Sequence, residues 1–309
     1  MRKPFDPYNW SKTRIKTLVD KIQGIRNDGL DVSYGEVWSI KKHLLLDYYT
    51  RGFVTIISKY FTKWYYVDTH CGSGVIGFRD KVLVDERFPG SPLIVALRSP
   101  DFKFHEYILS DLEQASVDAL KQRLKALEPT TGKLNYTFNV IDFEKTVALV
   151  ESKRQHGSAF LIFIDPTGFT EINWNLMERL LKIDTADIIF TFMTYSIILN
   201  KQNAMNNETV KNSMNIFFGN ENWKTCDDGN ALVELYRKQM SKFKKYTYVI
   251  PVFQTGDRKL YDMIIATNSK GGGNVIDAAR KIMDVTTTEL FRDALKVVAG
   301  KTKDLTEFF

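Results

Sequence analysis

Apolar positions along the chain change their spacing twice. From Ile15 through Leu18, Val19, Ile22 and Ile25 they recur at helical intervals, with Ser11 placed to cap the helix. Asn27–Gly29 interrupts this pattern. Ser33 and Glu36 then have the spacing of a capping box, ahead of a second amphipathic helix from Val37 through Trp38, Leu44, Leu45, Tyr48 and Tyr49 to Ile57. After Lys63 the spacing becomes that of buried strands. Trp64–Asp68 is an apolar run that ends in an acid and a glycine-containing turn, His70-Cys71-Gly72-Ser73-Gly74. Residues 75–90 read as loop, and Ser91-Pro92 as a helix start.

Strands and helices alternate from there. Strands are predicted at His105–Leu109, Leu134–Ile141, Ala159–Ile164 and Asp187–Met193, and helices at Leu112–Leu127, Phe143–Arg154 and Trp174–Leu181. Residues 194–230 are polar and Asn-rich and read as an insertion or cap. A helix at Ala231–Phe243 follows, then two strands, Tyr246–Phe253 and Leu260–Thr267. The turn-like Thr255–Lys259 between them is short enough to make them antiparallel. The tail from Asn274 reads as helical, and Gly271–Gly273 as a flexible turn. The fold class is therefore α/β, a doubly wound and mostly parallel sheet with an antiparallel C-terminal hairpin. Two parts are expected: a helical segment over 1–63 packed on the core, and an α/β domain over 64–309 with its insertion at 194–230.

Composition narrows the class. The 309 residues are 44% hydrophobic and 26% charged, which excludes a disordered or collagen-like chain. Two cysteines, Cys71 and Cys226, exclude a disulfide scaffold and a paired-cysteine zinc site, and they fit a cytoplasmic location. No apolar run is long enough to span a membrane, and the first residues do not form a signal peptide. The net charge of +6 is uneven: residues 1–63 hold twelve Lys/Arg against six Asp/Glu, whereas 64–309 hold thirty-one of each. A basic segment on a neutral body is a footprint for nucleic acid, though a solvated helical face has the same composition.

Candidate chemistry concentrates at strand ends. Asp68, Asp111, Asp142 and Asp165 each close a predicted strand, and ligands of open parallel sheets bind beyond the carboxyl ends of the strands. Gly72 and Gly74 permit close backbone approach to a ligand. Histidines lie on separate elements, so His70 beside Asp68 is not read as a metal site.

This order of features resembles that of a class I S-adenosylmethionine-dependent methyltransferase. The resemblance implies S-adenosylmethionine as cofactor, held by Asp68, His70, Gly72, Gly74, Asp111 and Asp142. Asp111 would accept the ribose hydroxyls, with Glu113 as its competitor, and Asp142 would meet the adenine. Asp165-Pro166-Thr167-Gly168-Phe169 falls where amino-methyltransferases carry Asp-Pro-Pro-Tyr. There Asp165 and the Pro166 backbone would orient the acceptor, and Phe169 would offer a stacking surface. Thr167 and Gly168 depart from that pattern and put amine methylation in doubt. His70 replaces the first glycine of the loop, and the following helix is displaced to Ser91-Pro92.

These departures resemble a narrower group, the three-Cys-motif partner protein family. The similarity is carried by the helix with Trp38, Lys42, His43 and Tyr49, the loop YVDTHCGSG, Gly90-Ser91-Pro92-Leu93, FIDPTGF, Phe217-Phe218-Gly219 with Trp223, and YDMIIATNSKGGG. It implies a methyltransferase-like fold, substrate or partner roles for Lys42 and His43, and a three-cysteine radical-SAM-like protein as partner. The expected function is S-adenosylmethionine binding and methyl transfer to a nucleic-acid component. The rival is a non-catalytic partner protein of the same fold. Metal-dependent hydrolysis is a third, less supported option.

Overall fold

The structure, a computed structural model, describes residues 5–81, 83–254 and 258–298. Residues 255–257 of the expected turn at Thr255–Lys259 and the residues beyond Val298 lie outside the described residues, as do Arg2 and Lys3 of the basic segment.

The strands are β1 (Ser33–Gly35), β2 (Lys63–Asp68), β3 (Val75–Phe78), β4 (Arg87–Pro89), β5 (Glu106–Asp111), β6 (Tyr136–Val140), β7 (Ser158–Ile164), β8 (Ala186–Phe192), β9 (Tyr246–Phe253) and β10 (Lys259–Thr267). Seven of them form the main sheet in the order β6-β5-β2-β7-β8-β10-β9. The five from β6 to β8 run parallel, and β10 runs antiparallel to both β8 and β9. This is the doubly wound sheet with a reversed closing hairpin that the alternating pattern predicts.

The helices are α1 (Pro7–Lys21), α2 (Ile40–Ile57), α3 (Ser91–Ala96), α4 (Gln114–Ala126), α5 (Glu128–Thr131), α6 (Phe143–Ser152), α7 (Trp174–Leu181), α8 (Thr194–Ala204), α9 (Glu208–Phe218), α10 (Gly229–Met240), α11 (Gly272–Val285) and α12 (Thr288–Val298). They cover the sheet on both faces. One apolar cluster joins α1, α2, α3, α4, α11 and α12 to the sheet through residues such as Leu18, Leu45, Leu120 and Ile276. The other joins α6 to α10 around Trp223, Phe217 and Tyr236. Residues 194–230 are thus a packed helical layer whose Met214, Phe217, Phe218 and Trp223 are buried.

Several local expectations are corrected. Helix α1 starts earlier than Ser11, because Pro7 opens it and Asp6 accepts from the Tyr8 and Asn9 N–H groups at 3.0 and 3.1 Å. Ser11 is buried inside the helix. Ser33 and Glu36 form no capping box. Ser33–Gly35 is a strand that pairs parallel with β3, and residues 75–90 are not loop, since β3 and β4 pair antiparallel. The sequence hides this small sheet because its strands have only three or four residues. Gly271–Gly273 is not a free turn either, since α11 begins at Gly272.

The N-terminal segment is bound into the body by charge as well as by apolar burial. Asp47 on α2 has no exposed surface and accepts from Arg14 at 2.7 and 2.8 Å and from Arg98, whose Nε lies at 2.7 Å. Arg26 pairs with Glu86.

Candidate functional site

Register decides what each strand-end acid does. Asp68 lies level with Leu109 of β5 and Phe163 of β7. Asp111 and Asp165 therefore stand two residues further along their strands, one on each side of the loop that leaves β2. Strand order reverses between β2 and β7, which makes this the switch point where open α/β sheets place ligands.

A cleft of about 590 Å³ opens there. Its floor is the loop from His70 to Gly74, its flanks carry Asp111 and Asp165, and Ser33–Gly35 of β1 form an outer wall. Gly72 and Gly74 both have positive φ, 58° and 83°, a conformation that disfavours side chains. A Cβ at Gly74 would lie 2.6 Å from Leu120 Cδ1 and 3.2 Å from Leu93 Cγ, so any other residue there would have to displace those side chains as well as bear the strained φ. Asp111 Oδ2 accepts the Gly72 N–H at 2.8 Å, and its Oδ1 accepts the Glu113 N–H at 3.0 Å. The Cys71 N–H donates to the Ser110 carbonyl at 2.9 Å, and the Gly90 N–H to the Gly74 carbonyl at 2.7 Å.

Asp68 has no exposed surface and does not line the cleft. It sits beneath the loop, where its carboxylate accepts from the Tyr66 hydroxyl at 2.7 Å and the His70 N–H at 3.4 Å. Burial pushes its carboxyl up to about 6, against the lowering effect of hydrogen bonds from Ser91 and Tyr66.

A lysine–carboxylate ion pair and a histidine–carboxylate contact line the far end of the cleft. Lys42 Nζ lies 2.6 Å from Asp165 Oδ2 and 5.9 Å from the centre of the Tyr261 ring. Burial acts to raise the Asp165 carboxyl, but the Lys42 ammonium outweighs it and holds the group below the ordinary range. His70 Nε2 lies 3.2 Å from Glu171 Oε2, and its ring lies against Phe143. Glu171 also accepts from the Thr167 hydroxyl and the Gly168 N–H. Burial again acts to raise this acid, and His70, Thr167 and Gly168 together hold it low. His43 is buried, with Nδ1 2.9 Å from the Ser39 carbonyl. Burial, and then the Lys42 charge, push its imidazole down to about 4, so it is neutral at pH 7.

The cleft thus gathers His70, Gly72, Gly74, Asp111, Asp165, Pro166, Lys42 and His43 along its lining, with Asp68 just under it. Two expected residues stand apart. Asp142 caps α6, accepting the Lys145 N–H at 2.8 Å, and is not part of the cleft lining. Phe169 presents no stacking surface: it is buried, with its ring edge-on to Phe217. The helical turn after Gly168 sends that side chain into the core instead of the cleft. Sequence reasoning missed Ser33–Gly35, Ser39 and Glu171. Of these only Glu171 left a local trace, as an acid six residues after Asp165.

Among the described residues no cluster of three or more His, Cys, Asp or Glu could hold a metal ion, and no helix is long and apolar enough to cross a membrane. No family model and no curated protein matches the chain. Solved structures with likeness to it include a Legionella pneumophila protein assigned to the family model DUF519. It is 14% identical, with 85% of this chain and 93% of that one covered and a TM-score of 0.49. A Bacillus cereus O-methyltransferase in complex with SAH is 11% identical, over 86% and 92% of the two chains, with a TM-score of 0.40. A human methyltransferase 10 domain containing protein is 10% identical, over 87% and 100%, also with a TM-score of 0.40. Likeness at this level carries nothing about function, and the fold rests on strand order and register.

Proposed function

We propose that this chain binds S-adenosylmethionine in the cleft between the glycine loop, Asp111 and Asp165, and presents it to a methyl acceptor at the Asp165 end. One observation carries this: the two strand-end acids that flank the switch point, Asp111 and Asp165, converge with the tight Gly72–Gly74 turn on one cleft of about 590 Å³. That is the size range of a cleft built for one cofactor-sized ligand. The residues present fit the group. Backbone can approach closely at Gly72 and Gly74, and Asp111 keeps lone pairs for hydroxyl donors beside its two backbone bonds. The bulk of His70 leans onto Phe143 and Glu171, outside the turn.

When bound, the cofactor supplies a methyl group on a sulfonium. The chain's part is to hold donor and acceptor in line and to keep the site shaped. Asp165, ionised through Lys42, and the Pro166 backbone face the acceptor end. His43 offers a neutral ring there, whose Nδ1 is occupied by the Ser39 carbonyl. A nucleic-acid component remains the proposed acceptor, supported by the N-terminal basic surplus. Three of those cations, Arg14, Arg26 and Lys42, are committed to Asp47, Glu86 and Asp165, which narrows that support. The same Lys42–Asp165 pair favours a second reading, because it occupies the acid that would orient an acceptor. In that reading the chain binds cofactor as a non-catalytic partner of a three-cysteine radical-SAM-like protein.

Thermal unfolding with and without millimolar S-adenosylmethionine tests the cofactor claim. A ligand that binds only the folded chain raises Tm, and an unchanged Tm would contradict it.

A further inference from the structure

Arg123 on α4 carries a guanidinium with no exposed surface, outside the lining of the cleft. All five of its N–H groups find acceptors. Nε and Nη2 each lie 2.8 Å from an oxygen of Asp28. Nη1 donates to the Asp31 carbonyl at 2.7 Å and to the Ser73 carbonyl at 2.8 Å, and Nη2 also reaches the Leu30 carbonyl at 3.3 Å. One planar cation therefore joins three stretches of chain: α4, the turn at 28–31, and the middle of the glycine loop.

We propose that Arg123 is a positioning residue for the glycine loop and that it makes residues 28–35 part of the cofactor site; this rests on the cofactor reading above. Ser73 stands between the two positive-φ glycines, so its two flanking peptides set the shape of the turn. The Ser73–Gly74 peptide is trans, and in a trans peptide the C=O and N–H point in opposite directions. By drawing the Ser73 carbonyl inward, Arg123 turns the Gly74 N–H away from itself, and Gly74 lines the cleft while Arg123 does not. Asp111 holds the other side of the turn through the Gly72 N–H. The loop is thus gripped by an anion at one end and a cation at the other.

The same cation fixes the outer wall. With Asp28 and the carbonyls of Leu30 and Asp31 anchored, the chain enters β1 in register with β3, and the Ser33 N–H reaches Ser73 Oγ at 3.2 Å. Ser33, Tyr34 and Gly35 then stand over the cleft. A lysine cannot replace this. Its ammonium has three donors and no planar fork, so it cannot serve the Asp28 carboxylate and all three carbonyls together.

The test uses the full chain with Arg123→Lys and Asp28→Asn. Arg14→Lys, which weakens the separate Arg14–Asp47 pair, serves as the control for stability loss alone. Two quantities are read: amide hydrogen exchange at residues 72–75 in the free chain, and calorimetric affinity for S-adenosylmethionine. In Arg123→Lys the exchange is expected to accelerate and the affinity to fall, each by about tenfold or more. Asp28→Asn, which keeps the Arg123–Ser73 bond, is expected to show a smaller change in the same direction. Arg14→Lys is expected to leave both near wild type whatever its Tm. Wild-type exchange and affinity in Arg123→Lys would overturn the proposal. If Arg123→Lys does not fold, Asp28→Asn decides, and exchange at 72–75 no faster than in Arg14→Lys would overturn it. A wild-type chain that binds no cofactor refutes the cofactor reading instead, and the exchange data still decide whether Arg123 holds the loop.

Discussion

Lys42 of α2 reaches across the mouth of the sheet to Asp165 at the end of β7, Nζ to Oδ2 2.6 Å. Both side chains are mostly buried, so each is the other's main source of ionic stabilisation. Removing the ammonium leaves a carboxylate with little water around it. Lys42→Met is therefore expected to destabilise the chain by roughly 2 kcal/mol, more than Asp165→Asn does. Urea denaturation of both variants checks the order. An Asp165→Asn variant that loses more would show that the acid serves the fold apart from Lys42.

Asp111 holds the glycine turn through the Gly72 N–H and caps the next stretch through the Glu113 N–H. Asp111→Ala removes both bonds as well as the acceptor for ribose hydroxyls. The expected result is a loss of about 1–2 kcal/mol in stability and a drop of about tenfold or more in cofactor affinity. Glu113→Ala, by contrast, should leave stability within about 0.5 kcal/mol, since Glu113 is exposed and its side chain makes no capping bond. If Glu113→Ala lost the larger share of affinity, the ribose role would move to Glu113.

Two buried groups, His43 in the cleft lining and Asp68 beneath the glycine loop, have pH effects that oppose each other. His43 falls from 6.5 to about 4 on folding, so the stability tied to its neutral form is present above pH 6.5 and lost as pH falls through 4. Lys42 and Asp165 are the charged groups facing it. Asp68 rises from 3.8 to about 6, so the stability tied to its protonated form is present below pH 3.8 and lost as pH rises through 6. Between pH 4 and 6 the two contributions have opposite slopes. Asp68→Asn removes one of them. Its stability relative to wild type is expected to improve by about 2 kcal/mol between pH 4 and pH 7. Denaturant titrations at several pH values give this difference directly, and a pH-independent difference would contradict the assignment to Asp68.

Helix α1 buries Ile15, Leu18 and Val19 completely, Ile22 just beyond it is equally buried, and the segment after it supplies β1 and the Asp28 anchor. Deleting residues 1–35 is therefore expected to remove well over 5 kcal/mol of apolar burial and to abolish cooperative unfolding by circular dichroism. A truncated chain with a wild-type melting curve would show the segment to be an independent appendage. For the same reason the nucleic-acid proposal is better tested by substituting exposed cations such as Lys59 than by truncation.

Much of the fold was legible because the main-sheet strands are long apolar runs that end in turn formers, and because their helices keep a regular period. Ala159–Ile164 and Asp187–Met193 needed no more than that. The small sheet was not legible, since Ser33–Gly35 has no alternation and is a strand only because β3 lies beside it. At the site, residue type marked Asp68, Asp111 and Asp165 together, but only register separated the buried Asp68 from the two acids that flank the cleft. Asp142 and Phe169 went astray for a related reason. A strand-end acid has the same signature as a helix cap, and a single aromatic after a turn gives no sign of the face it will take. Arg123 carries no local signal at all, because its partners are supplied by distant segments, and Glu171 shows only as an acid six residues after Asp165, with nothing local to announce His70.

Isothermal titration of S-adenosylmethionine into the full wild-type chain tests the central claim most directly. The expected result is a saturable one-to-one isotherm that Asp111→Ala weakens by about tenfold or more. No binding heat at millimolar cofactor, across two temperatures, would contradict it.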